Sequence, residues 1–118
     1  MLVATGGALG AVLRYLLTNV SNTLFLSSIY GTISVNIIGS FLIGYFITSD
    51  FGNNLSENFI KFFLIIGLLG SFTTFSAFSY EVLDLISSKK YASSFSYIFI
   101  SIIICIISAY LGTLLNIK

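Results

Sequence analysis

The sequence predicts an all-α integral membrane protein of four transmembrane helices, the third broken at its middle. Three observations carry that prediction. Of 118 residues, 57% are hydrophobic and 8% charged, with mean hydropathy +1.06; a soluble domain of this length carries roughly 25% charged residues to face water. The apolar residues gather into four runs, and runs of about 17 to 25 residues cross a bilayer core of roughly 30 Å. The third run is long for one straight crossing and holds glycines and hydroxyls at its centre, where a lipid-facing helix would use Leu and Ile.

The first run, about Leu2 to Leu17, contains Gly6, Gly7, Gly10 and Ala11, which make one helix face smooth enough for a second backbone to approach closely. Its apolar start lacks a basic flank and a small-residue cleavage site, so it is expected to be retained. Arg14 is its only charge. Two readings fit a cation at that depth: snorkelling to the headgroups, or a vestibule position that attracts anions. A polar link, Thr18 to Ser28, leads to the second run, about Ile29 to Thr48. There Thr32, Asn36 and Ser40 recur every four residues as one polar stripe, with Gly31, Gly39 and Gly44 as close-packing points. An intramembrane Asn acts as helix-to-helix glue or, through its amide N–H groups, as a donor to an anion.

A loop from Ser49 to Asn58, holding Asp50, Gly52, Asn53, Asn54 and Glu57, precedes the third run, about Phe59 to Ile86. Two helical halves with a break near Gly70 to Thr73 account for its length. Glycine-rich backbone at membrane depth is tolerated where the freed groups line a cavity or bind an ion. Glu81 and Asp84 close the second half and fit an interfacial helix end better than a buried site. After the turn Ser87 to Tyr91, the fourth run, about Phe95 to Leu115, places Tyr97, Ser101, Cys105, Ser108 and Gly112 on one face at spacings of 4, 4, 3 and 4. This is a hydroxyl track along an Ile-rich helix. The chain forms one four-helix domain over residues 1–118, with no internal repeat.

Several function classes are excluded. A net charge of +1 is no nucleic-acid footprint. There is no histidine, the lone Cys105 has no base beside it, and the few carboxylates sit near helix ends, so catalysis is not expected. Loop charges are nearly balanced between the two sides, with Lys61 and Lys118 on one and Lys89, Lys90 and Arg14 toward the other. Insertion in both orientations and antiparallel pairing are therefore expected. The remaining chemistry is hydroxyls, one central amide and phenylalanines. Hydroxyl and amide hydrogens and the positive edges of Phe rings hold an anion without a fixed cation trapping it. Carbonyls freed around Gly70 and Thr73 are hard oxygen ligands suited to a small cation.

Gly6-Gly7-Ala8-Leu9-Gly10-Ala11-Val12-Leu13-Arg14-Tyr15, then Gly31 through Phe41 with Asn36 at its centre, then Gly67 through Glu81 with its Thr73-Thr74-Phe75-Ser76-Ala77-Phe78-Ser79 core, resemble the bacterial Fluc (CrcB) fluoride channels. The resemblance covers nearly the whole chain in order. It implies a fluoride-specific channel for passive efflux in the cell inner (plasma) membrane, working as an antiparallel, dual-topology homodimer with two pathways and one central structural sodium ion that is not transported. By position, Gly70 and Thr73 would give backbone carbonyls to sodium, two from each subunit. Phe75 and Phe78 would line the fluoride pathway with Asn36 and, nearby, Thr32; Ser76, Tyr97 and Ser101 would form the hydroxyl track. Arg14 would lie toward a vestibule and Glu81 near a pore end. Ser71 stands where a second glycine is frequent, and Cys105 where a hydroxyl is frequent. The competing readings are a small multidrug-resistance-type transporter, whose first span needs a buried Glu that is absent here, and a non-conducting membrane assembly subunit. A heterodimer with a related subunit is the variant of the channel reading that a strong loop-charge bias would favour.

Overall fold

The computed structural model describes residues 1–50 and 57–116, and among them there is helix and no strand. In chain order the helices are α1 (Leu2–Phe25), α2 (Ser28–Thr48), α3 (Phe59–Leu69, wound as a π-helix), α4 (Gly70–Phe72), α5 (Ser76–Ser87) and α6 (Tyr91–Leu114). The expected loop residues Gly52, Asn53 and Asn54, and Lys118, lie outside the described residues.

The polar link expected from Thr18 to Ser28 is helical as far as Phe25. Both of its threonine hydroxyls bond backward along the helix, Thr18 Oγ1 to the Arg14 carbonyl and Thr23 Oγ1 to the Asn19 carbonyl, each at 2.9 Å. Satisfied in that way, they do not compete with the ladder. The helix stops at Leu26, which turns left-handed (φ 54°), and the Ser27 hydroxyl then accepts the Ile29 N–H to start α2. At the other tight turn Lys89 is left-handed (φ 60°) and the Lys90 N–H returns to the Leu85 carbonyl at 2.9 Å, closing the end of α5.

The helices are held by backbone contact where side chains are missing. A Cβ on Gly6 or Gly10 would run into the Phe63 and Leu68 carbonyls of α3, so α1 and α3 touch along that face. A Cβ on Gly44 or Gly112 would collide with the carbonyls of Ala109 and Phe41, which brings α2 and α6 to the same closeness. The Ser108 hydroxyl crosses this second seam to the Ile37 carbonyl at 2.9 Å. Ser108 and Gly112 are therefore part of the packing between α2 and α6.

Three helices are long and apolar enough to cross a membrane: Ser28–Thr48, Phe59–Ser87 taken as one stretch, and Tyr91–Leu114. The expected first span is not among them; extended to Phe25 it has 24 residues but takes in Thr18, Asn19, Ser21, Asn22 and Thr23. Large apolar side chains such as Leu9, Val12, Phe95, Phe99 and Ile106 are exposed around the outside, as a lipid solvent requires. The chain measures 53 × 31 × 21 Å, and 21 Å is the depth of two packed helices of about 10 Å each. A layer that thin leaves any groove open on one side.

Candidate functional site

Between α4 and α5 the helical ladder stops at Phe72 and resumes at Ser76. Gly70 is still helical (φ −62°, ψ −31°), whereas Thr73 is extended (φ −79°, ψ 156°). A backbone released at membrane depth has no water to bond, so its groups need protein partners. Asn36, on the neighbouring α2, supplies them. Its Oδ1 accepts the Thr74 N–H at 2.8 Å and its Nδ2 donates to the Thr74 carbonyl at 3.0 Å. A carboxamide carries one acceptor and one donor in a plane and so serves both groups of one residue. The Thr73 methyl occupies the space that a side chain at Gly39 would fill, which lets the interruption lie against α2.

Two further bonds finish the restart. The Thr74 hydroxyl oxygen accepts the Ala77 N–H at 3.2 Å and lies 3.1 Å from the Ser76 hydroxyl. This is the work of a helix cap, because the first N–H groups of a helix have no carbonyl behind them. Thr74 itself is 7% exposed. It is the residue that sequence reasoning passed over. Its signal in the sequence was a threonine just past the glycine-containing break, the residue type that caps a restarting helix.

The interruption forms one end of a cleft of about 260 Å³. Asn36 and Ser40 line it from α2, Thr73, Phe75 and Phe78 from the third segment, and Ser101 and Cys105 from α6. The Phe75 and Phe78 rings are tilted against each other at 5.3 Å, and Phe78 meets the Tyr97 ring at 5.1 Å. Phe78 is buried, but Phe75 is 75% exposed and stands at the open side. The Ser101 hydroxyl is buried and has no hydrogen-bond partner among the described residues. A buried hydroxyl left unpaired is rare enough to mark a place where a ligand or water completes it.

Glu81 is not an exposed helix-end carboxylate as its sequence position suggested; it is 5% exposed. Thr32 donates to its Oε1 at 2.8 Å and the Tyr97 hydroxyl to its Oε2 at 2.5 Å. The reason is the helical offset: Glu81 lies within α5, on the face turned toward α2 and α6. Thr32 and Tyr97 are thereby engaged with Glu81 and are not part of the cleft lining, while Ser76 stays outside it on Thr74. Glu81 and Thr32 face a second cavity of about 360 Å³, which half-buried Arg14 also lines. Thr74 borders both cavities, so the interruption is the wall between them. Gly70 is exposed on the helix one turn before.

Of the expected pathway residues, the structure thus gathers Asn36, Phe75, Phe78 and Ser101 at one cleft, with Thr73 at its end. It places Thr32 and Tyr97 with Glu81 beside the Arg14 cavity. Ser40 and Cys105 join the cleft, the first a member of the polar stripe on α2 that the resemblance had not assigned.

A family model described as CrcB-like protein, Camphor Resistance (CrcB), matches residues 1–113. Among curated relatives, a protein of Dehalococcoides mccartyi is 42% identical over 121 residues, covering 98% of this chain and 93% of its own. One of Campylobacter jejuni is 40% identical over 98% of this chain and 94% of its own. One of Shewanella sediminis is 43% identical over 95% and 90%. Each of these relatives is named a fluoride-specific ion channel, FluC.

Proposed function

The chain belongs to the CrcB family, and from that premise we propose that it is a fluoride-specific ion channel of the inner membrane. It lets fluoride leave the cytoplasm passively and is not an enzyme. The observation that carries the reading is the cleft in which Asn36, the Phe75 and Phe78 rings and the unpaired Ser101 hydroxyl converge. Each contributes a partial positive charge: an amide N–H, ring edges and an O–H. None is a fixed cation, so an anion that enters is also able to leave. Arg14 lines the neighbouring cavity together with Glu81, and its guanidinium is the group there that would attract an approaching anion.

Hydrofluoric acid is weak and crosses lipid in its neutral form, then ionises inside. An inside-negative potential drives the resulting anion outward with about 2.3 kcal/mol per 100 mV. In this reading the 59–87 segment is a single transmembrane helix broken in mid-membrane, α1 is the fourth crossing, and two copies pair antiparallel with dual topology. The second copy supplies the wall that a layer 21 Å deep lacks.

Among the described residues no group of three or more His, Cys, Asp or Glu is placed to hold a metal ion. A sodium ion would instead be held by the Gly70 and Thr73 carbonyls of both copies. Those are hard neutral oxygens of the kind such an ion takes. When bound, sodium supplies fixed positive charge at the centre of the dimer and is not transported.

The test is efflux from liposomes that contain only this purified protein. Fluoride is expected to leave and chloride to stay; chloride flux at a comparable rate would end the proposal. A non-conducting assembly subunit would release neither ion.

A further inference from the structure

We infer that Asn36 and Thr74 are positioning residues for the cation site: each diverts one backbone N–H, and in doing so frees one of the two carbonyls that would bind sodium. The inference rests on the sodium reading above and explains how a continuous chain presents those carbonyls.

In an uninterrupted α-helix the N–H of residue 74 bonds the carbonyl of residue 70, and the N–H of residue 77 bonds the carbonyl of residue 73. Here both donors are engaged elsewhere. The Thr74 N–H goes to Asn36 Oδ1 at 2.8 Å, and the Ala77 N–H goes to Thr74 Oγ1 at 3.2 Å. The carbonyls deprived of their helical donors are those of Gly70 and Thr73. Meanwhile the Thr73 N–H closes onto the Leu69 carbonyl at 3.1 Å and the Ser79 N–H onto Phe75 at 2.9 Å, so an ordinary α-type bond flanks the interruption on either side. The Asn36 Nδ2 bond to the Thr74 carbonyl, at 3.0 Å, keeps that third carbonyl occupied.

The selection is chemical. A carbonyl without a donor inside a membrane costs free energy that a cation recovers. An amide side chain and a hydroxyl accept N–H bonds without competing for the cation's own ligands. Because Asn36 also lines the cleft, one side chain links the anion route to the cation site.

The experiment follows the melting of the detergent-purified protein, and fluoride efflux from liposomes, as sodium replaces N-methylglucamine. Thr74→Val keeps the shape of the side chain but removes the acceptor, leaving the Ala77 N–H to return to the Thr73 carbonyl. The sodium concentration for half-maximal thermal stabilisation is expected to rise at least tenfold in Thr74→Val, and to stay within about twofold in Thr74→Ser. Asn36→Leu, read by melting alone, is expected to shift it likewise. With N-methylglucamine only, Thr74→Val should still melt in one cooperative step, lowered only by the lost cap, and Thr74→Ser should melt with the unmodified protein, which separates loss of the site from loss of the fold. An unchanged half-maximal concentration in both Thr74→Val and Asn36→Leu would overturn the inference. If the unmodified protein shows no sodium dependence in either readout, the sodium reading itself fails and takes the inference with it.

Discussion

Replacing Tyr97 by Phe isolates one bond in the buried cluster of Thr32, Glu81 and Tyr97. The ring contact with Phe78 at 5.1 Å is kept, and only the hydroxyl that donates to Glu81 Oε2 is lost. Hydrogen bonds inside membrane proteins average about 0.6 kcal/mol and reach about 1.7. For an acceptor buried to 5% exposure the expected loss lies toward the upper end of that range, about 1–2 kcal/mol. Thr32→Val, which removes the bond to Oε1, should cost a similar amount. Denaturant titration of the protein in detergent measures both, and a cycle with Glu81→Ala isolates the coupling. In the Glu81→Ala background the cost of Tyr97→Phe should fall below about 0.5 kcal/mol. A Tyr97→Phe cost that is already that small, or one unchanged when Glu81 is absent, would refute the assignment of the cluster.

Phe75→Ile should abolish fluoride efflux from liposomes while leaving the melting temperature within a few degrees, because the ring is 75% exposed in the single chain and buries little of it; undiminished flux would remove that ring from the path. Gly112→Ala pushes a methyl group into the Phe41 carbonyl across the seam between α2 and α6. Overpacking of that kind costs about 1–3 kcal/mol, read as a lower denaturation midpoint.

Much of the architecture was legible because the bilayer is a strict solvent. Hydrophobic runs, their lengths, and the small residues at Gly6, Gly10, Gly44 and Gly112 each have one economical use in a membrane. The end of α1 was not legible: Thr18, Asn19 and Ser21 resemble a loop by composition, yet the helix continues to Phe25, with the Thr18 and Thr23 hydroxyls bonded back to the Arg14 and Asn19 carbonyls and Ser21 bonded forward to the Ser27 carbonyl. The face of α6 read as one hydroxyl track divides in space. Tyr97 turns to Glu81, Ser101 and Cys105 turn to the cleft, and Ser108 holds α2. Periodicity reports a shared helix face, but not which neighbour meets each turn of it.

By itself the sequence determined the solvent, the helical class and the exclusion of histidine-based and nucleophilic chemistry, and it set a break near Gly70 to Thr73, whereas the helix runs through Gly70 to Phe72 and the irregular residues are 73–75. Those follow from local composition and from the cost of unpaired backbone in hydrocarbon. Tertiary structure decided the rest. It moved Glu81 from an expected helix end to the centre of a buried cluster, and it put the amide of Asn36 against Thr74, 38 residues away. The physical reason is that a hydrogen-bond partner is chosen by proximity across helices, and that proximity comes from how closely glycine faces let backbones approach.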